Sequence, residues 1–231
     1  MEISALSFNI HLNGRNKSDG SYYDLPNISK KLNADIMVFQ EDFFYDEEGS
    51  RLNFPLEHQQ LYQGIGTFKF DKKIQKNLKL NEKGTCNIVL STKFKILNSQ
   101  ALVVKPYGGD PRTCSLLATL LTPTGPLQVL AVHLTTGWLP LGSFLQLLQL
   151  RKVIPREGKL LIIGDHNLWS PLVKLILPKN FSQLVKAKTW PGPKPRHQID
   201  QAFLRGGRKI EGVALPVNGS DHLPIKVLFA I

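Results

Sequence analysis

Lys159-Leu160-Leu161-Ile162-Ile163-Gly164-Asp165-His166-Asn167 decides the fold. Four consecutive apolar residues read as a strand buried on both faces. The strand stops at a glycine and delivers a carboxylate and an amide to a sheet edge. Groups held there by a rigid scaffold suit pre-organised chemistry. The plainer alternative is an Asx turn, with Asp165 and Asn167 bonded only to the local backbone.

The chain has 231 residues, 42% hydrophobic and 20% charged, an ordinary globular composition. One domain spanning 1–231 is expected, since no repeat, low-complexity tract or linker-like shift interrupts it. No apolar run is long enough to span a membrane, and Met1-Glu2-Ile3-Ser4 does not start a secretory signal. A cytoplasmic monomer without stable membrane insertion is expected. Cys86 and Cys114 both lie in strand-like text and read as buried small hydrophobes.

The formal net charge is +11, unevenly spread. Residues 1–58 hold 5 Lys/Arg against 10 Asp/Glu, and residues 59–231 hold 24 against 8. An excess of that sign attracts polyanions, nucleic acid or anionic lipid, or else it is a solvated surface. The basic segment Lys69–Lys83 reads as a loop or surface hairpin that either rides on a phosphate backbone or faces solvent.

Working outward, Ile3–Ile10, Ala34–Glu41, Thr85–Ser91, Phe94–Val104, Arg112–Leu121, Leu127–His133, Gln198–Leu204 and Ile225–Ile231 read as strands. Leu25–Leu32 and Pro171–Leu177 read as short helices. Leu141–Val153 has helical spacing, with Leu141, Leu145, Leu148 and Val153 on one side. Asn13–Gly20 and Asp42–Arg51 read as loops, Tyr107–Pro111 as a turn cluster, and Thr189–Arg196 as a proline-rich loop with two bases and an indole.

Polar residues collect at the strand ends: Asn9, Glu41, His133, Asp165 with Asn167, Asp200, and Asp221 with His222. Phosphodiester hydrolysis needs a hard divalent cation on oxygen ligands, a group that orients or deprotonates water, and donors for developing charge. Carboxylates, an amide and histidines supply these parts. Oxygen ligands favour Mg²⁺ or Mn²⁺ over Zn²⁺.

Ser7-Phe8-Asn9-Ile10, Gln40-Glu41, His133-Leu134-Thr135, Gly164-Asp165-His166-Asn167, Ile199-Asp200 and Ser220-Asp221-His222-Leu223-Pro224 together resemble the endonuclease/exonuclease/phosphatase superfamily, across residues 7–224. The resemblance implies an α/β (α+β) fold: a four-layer α-β-β-α sandwich of two mostly antiparallel sheets. It implies that Glu41 is the principal metal ligand, with Asn9 beside it and Asp221 bearing on the metal. It implies that Asp165 orients or activates water, Asn167 holds the scissile phosphate, and His222 bonds a phosphoryl oxygen with its ring fixed by Asp200. His133 would stabilise the transition state or protonate the leaving oxygen. Arg112 and Arg196 are candidate phosphate contacts, because arginine offers a forked donor.

Two positions depart from the pattern: His166 stands where an apolar residue is usual, and Gln201 follows Asp200. Histidine at 133 differs from the tyrosine of exonuclease III-type enzymes. The paired cysteines of secreted deoxyribonucleases are missing. The combined expectation is a metal-dependent hydrolase that cuts nucleic acid, a DNA endonuclease. A phosphatase or phosphodiesterase for inositol phosphates or phospholipids is the alternative, and a non-catalytic nucleic-acid-binding module the third. Trp138-Leu139-Pro140-Leu141 reads as a buried helix start rather than a membrane-docking loop.

Overall fold

The computed structural model describes residues 1–14, 21–44, 50–69 and 83–231. The basic run Lys72–Lys79, residues 15–20 of the first expected loop and residues 45–49 of the acidic loop lie outside these. The strands, in chain order, are Glu2–Asn9 (β1), Ile36–Phe44 (β2), Gln59–Lys69 (β3), Lys83–Thr92 (β4), Lys95–Val103 (β5), Cys114–Thr122 (β6), Gly125–His133 (β7), Lys159–Asp165 (β8), Ser182–Gln183 (β9), Asp200–Arg205 (β10), Arg208–Ala214 (β11) and Ile225–Ala230 (β12). The helices are Leu25–Lys31 (α1), Leu141–Val153 (α2) and Ser170–Ile176 (α3).

Two six-stranded sheets result, ordered β11-β12-β1-β2-β4-β3 and β5-β6-β7-β8-β10-β9. Each has one parallel pair, β1 with β2 and β7 with β8, among antiparallel neighbours. Alternation along the central strands makes the layers. In β8, Leu161 and Ile163 face the other sheet, while Leu160 and Ile162 face α2 and α3. In β2, Ile36 and Val38 face inward, and Met37 and Phe39 pack on the α1 side with Leu25 and Leu32. A period of two with both faces apolar demands cover on both sides, which yields the α-β-β-α sandwich. Cys86 and Cys114 are free and buried in the core between the sheets.

Four expectations need correction. Asp200 opens β10 rather than sitting within a strand, and Arg112 precedes β6. The buried face of α2 is Gly142, Ser143, Gln146, Leu147 and Leu150, whereas Leu141 and Val153 are exposed. The polar members of that face explain the shift, because they bond loop backbone. Gln146 accepts from Thr135 N at 2.8 Å and donates to Arg112 O at 2.8 Å, and Ser143 Oγ donates to Asn167 O at 2.9 Å. An apolar stripe cannot supply those bonds. Trp138, Leu139, Pro140 and Leu141 are all exposed, so the helix start is not buried. The edge strands β3 and β11 were not anticipated, since an edge needs no continuous apolar run.

Leu161 is fully buried between the sheets. Leu161→Ala should therefore cost roughly 2–5 kcal/mol in urea unfolding. Val103→Ala, at an exposed position of edge strand β5, should stay within about 0.5 kcal/mol. Equal effects would contradict the layer assignment.

Candidate active site

Register brings the polar strand ends to one place. Asn9 pairs with Gln40 across the parallel β1–β2 pair, and His133 pairs with Asp165 across β7–β8. Asp200 pairs with Asp165 because β10 runs antiparallel from the same end. The loop before β12 arrives there as well, since Ser7 pairs with Ile225. Ser220 Oγ anchors this loop by donating to Asn9 O at 2.6 Å.

Local backbone aims the side chains. Glu41 lies at the register shift between Gln40 and Asp42, with φ of 62°. A bulged residue in the left-handed region leaves the pleat, so its carboxylate points into the site instead of onto a sheet face. Asn167 has φ of 44° and turns the chain back after β8. At Gly164, with φ of 144°, a Cβ would come within 2.1 Å of Val132 O, so only glycine lets β8 run this close to β7 beneath Asp165.

Asn9 Nδ2 donates to Glu41 Oε1 at 3.3 Å and to Asp165 Oδ2 at 3.0 Å. Asp165 Oδ1 accepts from Asn167 N at 2.8 Å, so the Asx turn is present alongside the cluster. One Asn167 amide hydrogen goes to Leu134 O at 2.9 Å, and its Nδ2 also reaches Asp165 Oδ2 at 3.3 Å. His222 Nδ1 lies 2.9 Å from Asp200 Oδ2, and its Nε2 lies 3.9 Å from Asp165 Oδ2 and 4.0 Å from Asp221 Oδ1.

Arg112 is buried, and its guanidinium is committed to Asp110, Glu41, Thr136 and His133. Its Nε donates to His133 Nδ1 at 3.4 Å, which makes Nδ1 an acceptor and leaves the proton on Nε2. That nitrogen is buried with no hydrogen-bond partner among the described residues. It lies 3.6 Å from Glu41 Oε1 and 3.8 Å from Asp165 Oδ2. Arg196 is exposed in the proline-rich loop, and its neighbour His197, not Arg196, lines the cavity.

The charge states follow from burial and neighbours. Burial and the Asp200 charge push Asp165 up to about 7. Burial pulls His222 down, but Asp200, Asp165 and Asp221 outweigh it and raise the imidazole to about 10. Burial and the nearby Arg112 cation push His133 down to about 3, so it is neutral. Glu41 is held well below the carboxylate range: burial opposes ionisation, but His11 and Arg112 prevail.

The donor chemistry fits a hard cation. Ionised Glu41 and the Asp221 carboxylate offer oxygen at the cavity wall, with the Asn9 amide nitrogen bonded to Glu41. In a separate group, one atom each of Asp165, Asp200 and His222 falls within 4.8 Å of the others. Asp200 Oδ1 is also buried without a partner among the described residues.

Several neighbours were not singled out from sequence. His11 Nδ1 sits 3.5 Å from Glu41 Oε2 and 3.6 Å from Asp221 Oδ1. Asp110, within the expected turn cluster, clamps Arg112 and accepts from Thr136 N at 2.8 Å. The polar set opens into a cavity of about 500 Å³ whose other wall includes Leu139, Pro140, Trp169 and Trp190. The signal for His11 was its place two residues beyond Asn9; nothing local marks Trp169 as part of the cavity wall.

No protein-family model matches the sequence, and no curated protein matches it. Solved structures do match. An endonuclease/exonuclease/phosphatase from Beutenbergia cavernae is 17% identical with a TM-score of 0.76, over 100% of this chain and 72% of that one. The human Nocturnin catalytic domain, with bound sulfate, is 17% identical with a TM-score of 0.69, over 99% of this chain and 94% of that one. A D. rerio TDP2 complexed with single strand DNA product is 16% identical with a TM-score of 0.64, over 100% of this chain and 99% of that one. Sheet order, layering and these likenesses agree: the chain has the fold of the endonuclease/exonuclease/phosphatase superfamily.

Proposed function

We propose that the chain is a divalent-metal-dependent phosphodiesterase that hydrolyses nucleic acid, acting as a DNA endonuclease. One observation carries the reading. A carboxylate near neutrality, Asp165, lines a single cleft with ionised Glu41 and with His222, whose ring Asp200 holds, and neutral His133 lies behind it, 3.8 Å from Asp165 Oδ2. A structural core has no use for that combination.

Asp165 is the base. A carboxyl titrating near 7 is partly ionised at neutral pH and basic enough to take a proton from water. The Asn9 and Asn167 bonds fix its direction. His222 is a cation at that pH. Asp200 holds its Nδ1, which leaves Nε2–H to donate to a phosphoryl oxygen. Neutral His133 donates through Nε2–H and lacks the additional proton of a general acid, so of its two candidate roles stabilisation of charge is favoured. Asn167 would meet the phosphate with the amide hydrogen it now shares with Asp165. Glu41 and Asp221 would hold Mg²⁺ or Mn²⁺, with Asn9 beside them, free to offer its amide oxygen only if the amide turns from its bond to His11 N. Such a cation, when bound, draws charge from a phosphoryl oxygen. Arg112 acts as a positioning residue for Glu41 and His133 rather than as a phosphate contact, and Arg196 remains a candidate phosphate contact at the rim.

Nucleic acid is supported by the basic excess over residues 59–231 and by the single strand DNA product bound to the similarly folded TDP2. A phospholipid or inositol phosphate is the second reading, favoured by the exposed Trp138–Leu141 segment.

Purified protein with supercoiled plasmid and Mg²⁺ should nick it, and EDTA should stop the nicking. Asp165→Ala should lower the rate by roughly 10²–10⁴ with folding retained. Absence of nicking by folded, metal-loaded protein, with a single-stranded oligonucleotide also left uncut, would remove nucleic acid as the substrate. The rate should rise about tenfold per pH unit below about 7 and level off above it, because Asp165 works deprotonated. A flat profile would exclude Asp165 as base.

Asp200→Asn should drop the His222 pKa from about 10 towards the ordinary imidazole range, read by NMR titration of the metal-free protein. The sign is that of a raised histidine: the stabilisation is complete below about 6.5 and is lost as pH climbs through about 10. An unchanged titration would mean that Asp200 does not hold the ring charge.

A further inference from the structure

The catalytic groups account for only part of the cavity. Its remaining wall is apolar and aromatic. Two of the chain's three tryptophans, Trp169 and Trp190, line this cavity, and the third, Trp138, precedes the lining residue Leu139. Trp169 follows Asn167 by two residues, lines the cavity and is 52% exposed. Trp190 also lines the cavity; its Nε1 donates to Asp221 Oδ2 at 3.3 Å and its ring lies 5.7 Å from that of His197. Trp138 is 62% exposed, adjoins the lining residue Leu139 and leans on Tyr107 with ring centroids 5.8 Å apart. Half-exposed indoles at the mouth of a polar site mark recognition rather than packing.

The placement is specific. Asn167 and His222 are the proposed phosphate contacts. Trp169 lies two residues from the first, and Trp190 bonds the residue next to the second. A planar apolar group attached to the phosphate through a sugar would have indoles in the same cavity wall to stack on. A cavity of about 500 Å³ has room for such a group beside the phosphate. Trp190 is braced by Asp221 and His197, so it offers a fixed surface at little entropic cost.

We infer that the indole-lined wall is a nucleobase subsite: it takes an unstacked base next to the scissile phosphate, so the protein prefers single-stranded over duplex nucleic acid. The inference rests on the phosphodiesterase reading above and adds the part of the substrate the site grips. Base–aromatic stacking contributes about 1–3 kcal/mol per base and tolerates any sequence. A base paired within a duplex has both faces covered and cannot use the wall without leaving the stack.

Because two of the three tryptophans line the cavity, intrinsic emission reports its occupancy. The test titrates the full chain, in EDTA, with oligodeoxythymidylate and with an abasic chain of equal length and charge. The expected result is saturable quenching by oligothymidylate, with clearly weaker binding and little quenching by the abasic chain or a duplex. Trp169→Ala should weaken oligothymidylate binding about tenfold, and Trp169→Phe should retain most of it. Equal affinity for both chains without quenching would overturn the subsite, leaving backbone attraction alone. A blue shift on anionic phospholipid vesicles, with no response to oligonucleotide, would overturn it in favour of a lipid surface. With Mg²⁺ added, equal cleavage of both chains would leave the phosphodiesterase reading intact and remove the subsite. Cleavage of neither, with quenching intact, would remove the phosphodiesterase reading and keep base binding.

Discussion

The amide of Asn9 spans the gap between the two sheets. Its nitrogen donates to Glu41 on one sheet and to Asp165 on the other, at 3.3 and 3.0 Å. Carboxylates buried this close would repel each other and resist ionisation without such a donor. The interaction also ties the alignment of the sheets to the chemistry. Any slip of β1 against β8 separates Glu41 from Asp165, so the packing of the hydrophobic core and the geometry of the cleft are one constraint.

Around that bridge the charges are sorted rather than cancelled. Arg112, clamped by Asp110, lies against Glu41 and His133; it helps to keep the first ionised and makes the second neutral. Asp200 serves His222 and, by its charge, raises Asp165. Burial, together with one arginine and one aspartate, thus biases four protonation states. Positioning extends further out, to Gln146 and Ser143 of α2, whose side chains fix the backbone after His133, at Arg112 and at Asn167. A helix whose buried face is half polar is placed by these bonds as much as by apolar burial.

Much of this was legible in the residues. Strands with unbroken apolar runs, such as β1, β2, β7 and β8, were read close to their true bounds, and both helices flanking β8 were found. Ranges failed where tertiary context overrides pattern: at the polar edges β3 and β11, at the start of β10, and on α2, whose inward side is set by hydrogen-bonding need. Asn9, Glu41, His133, Asp165, Asn167, Asp200, Asp221 and His222 were named from strand ends, and the fold brings them together. Arg112 was named as well, yet it lies buried behind the cleft rather than on its surface.

The sequence by itself determined the layers, because a strand apolar on both faces must be covered twice, and it determined which polar groups end the strands, because strand ends are where apolar runs stop. Only the tertiary structure decided their protonation. A pKa depends on burial and on charges distant in sequence, and Asp200 reaches His222 across 22 residues while Asn9 reaches Asp165 across 156. The cavity wall is of the same kind. Trp169 and Trp190 lie on two separate connections, after β8 and before β10, and only the pairing of those strands within one sheet draws both to one cavity.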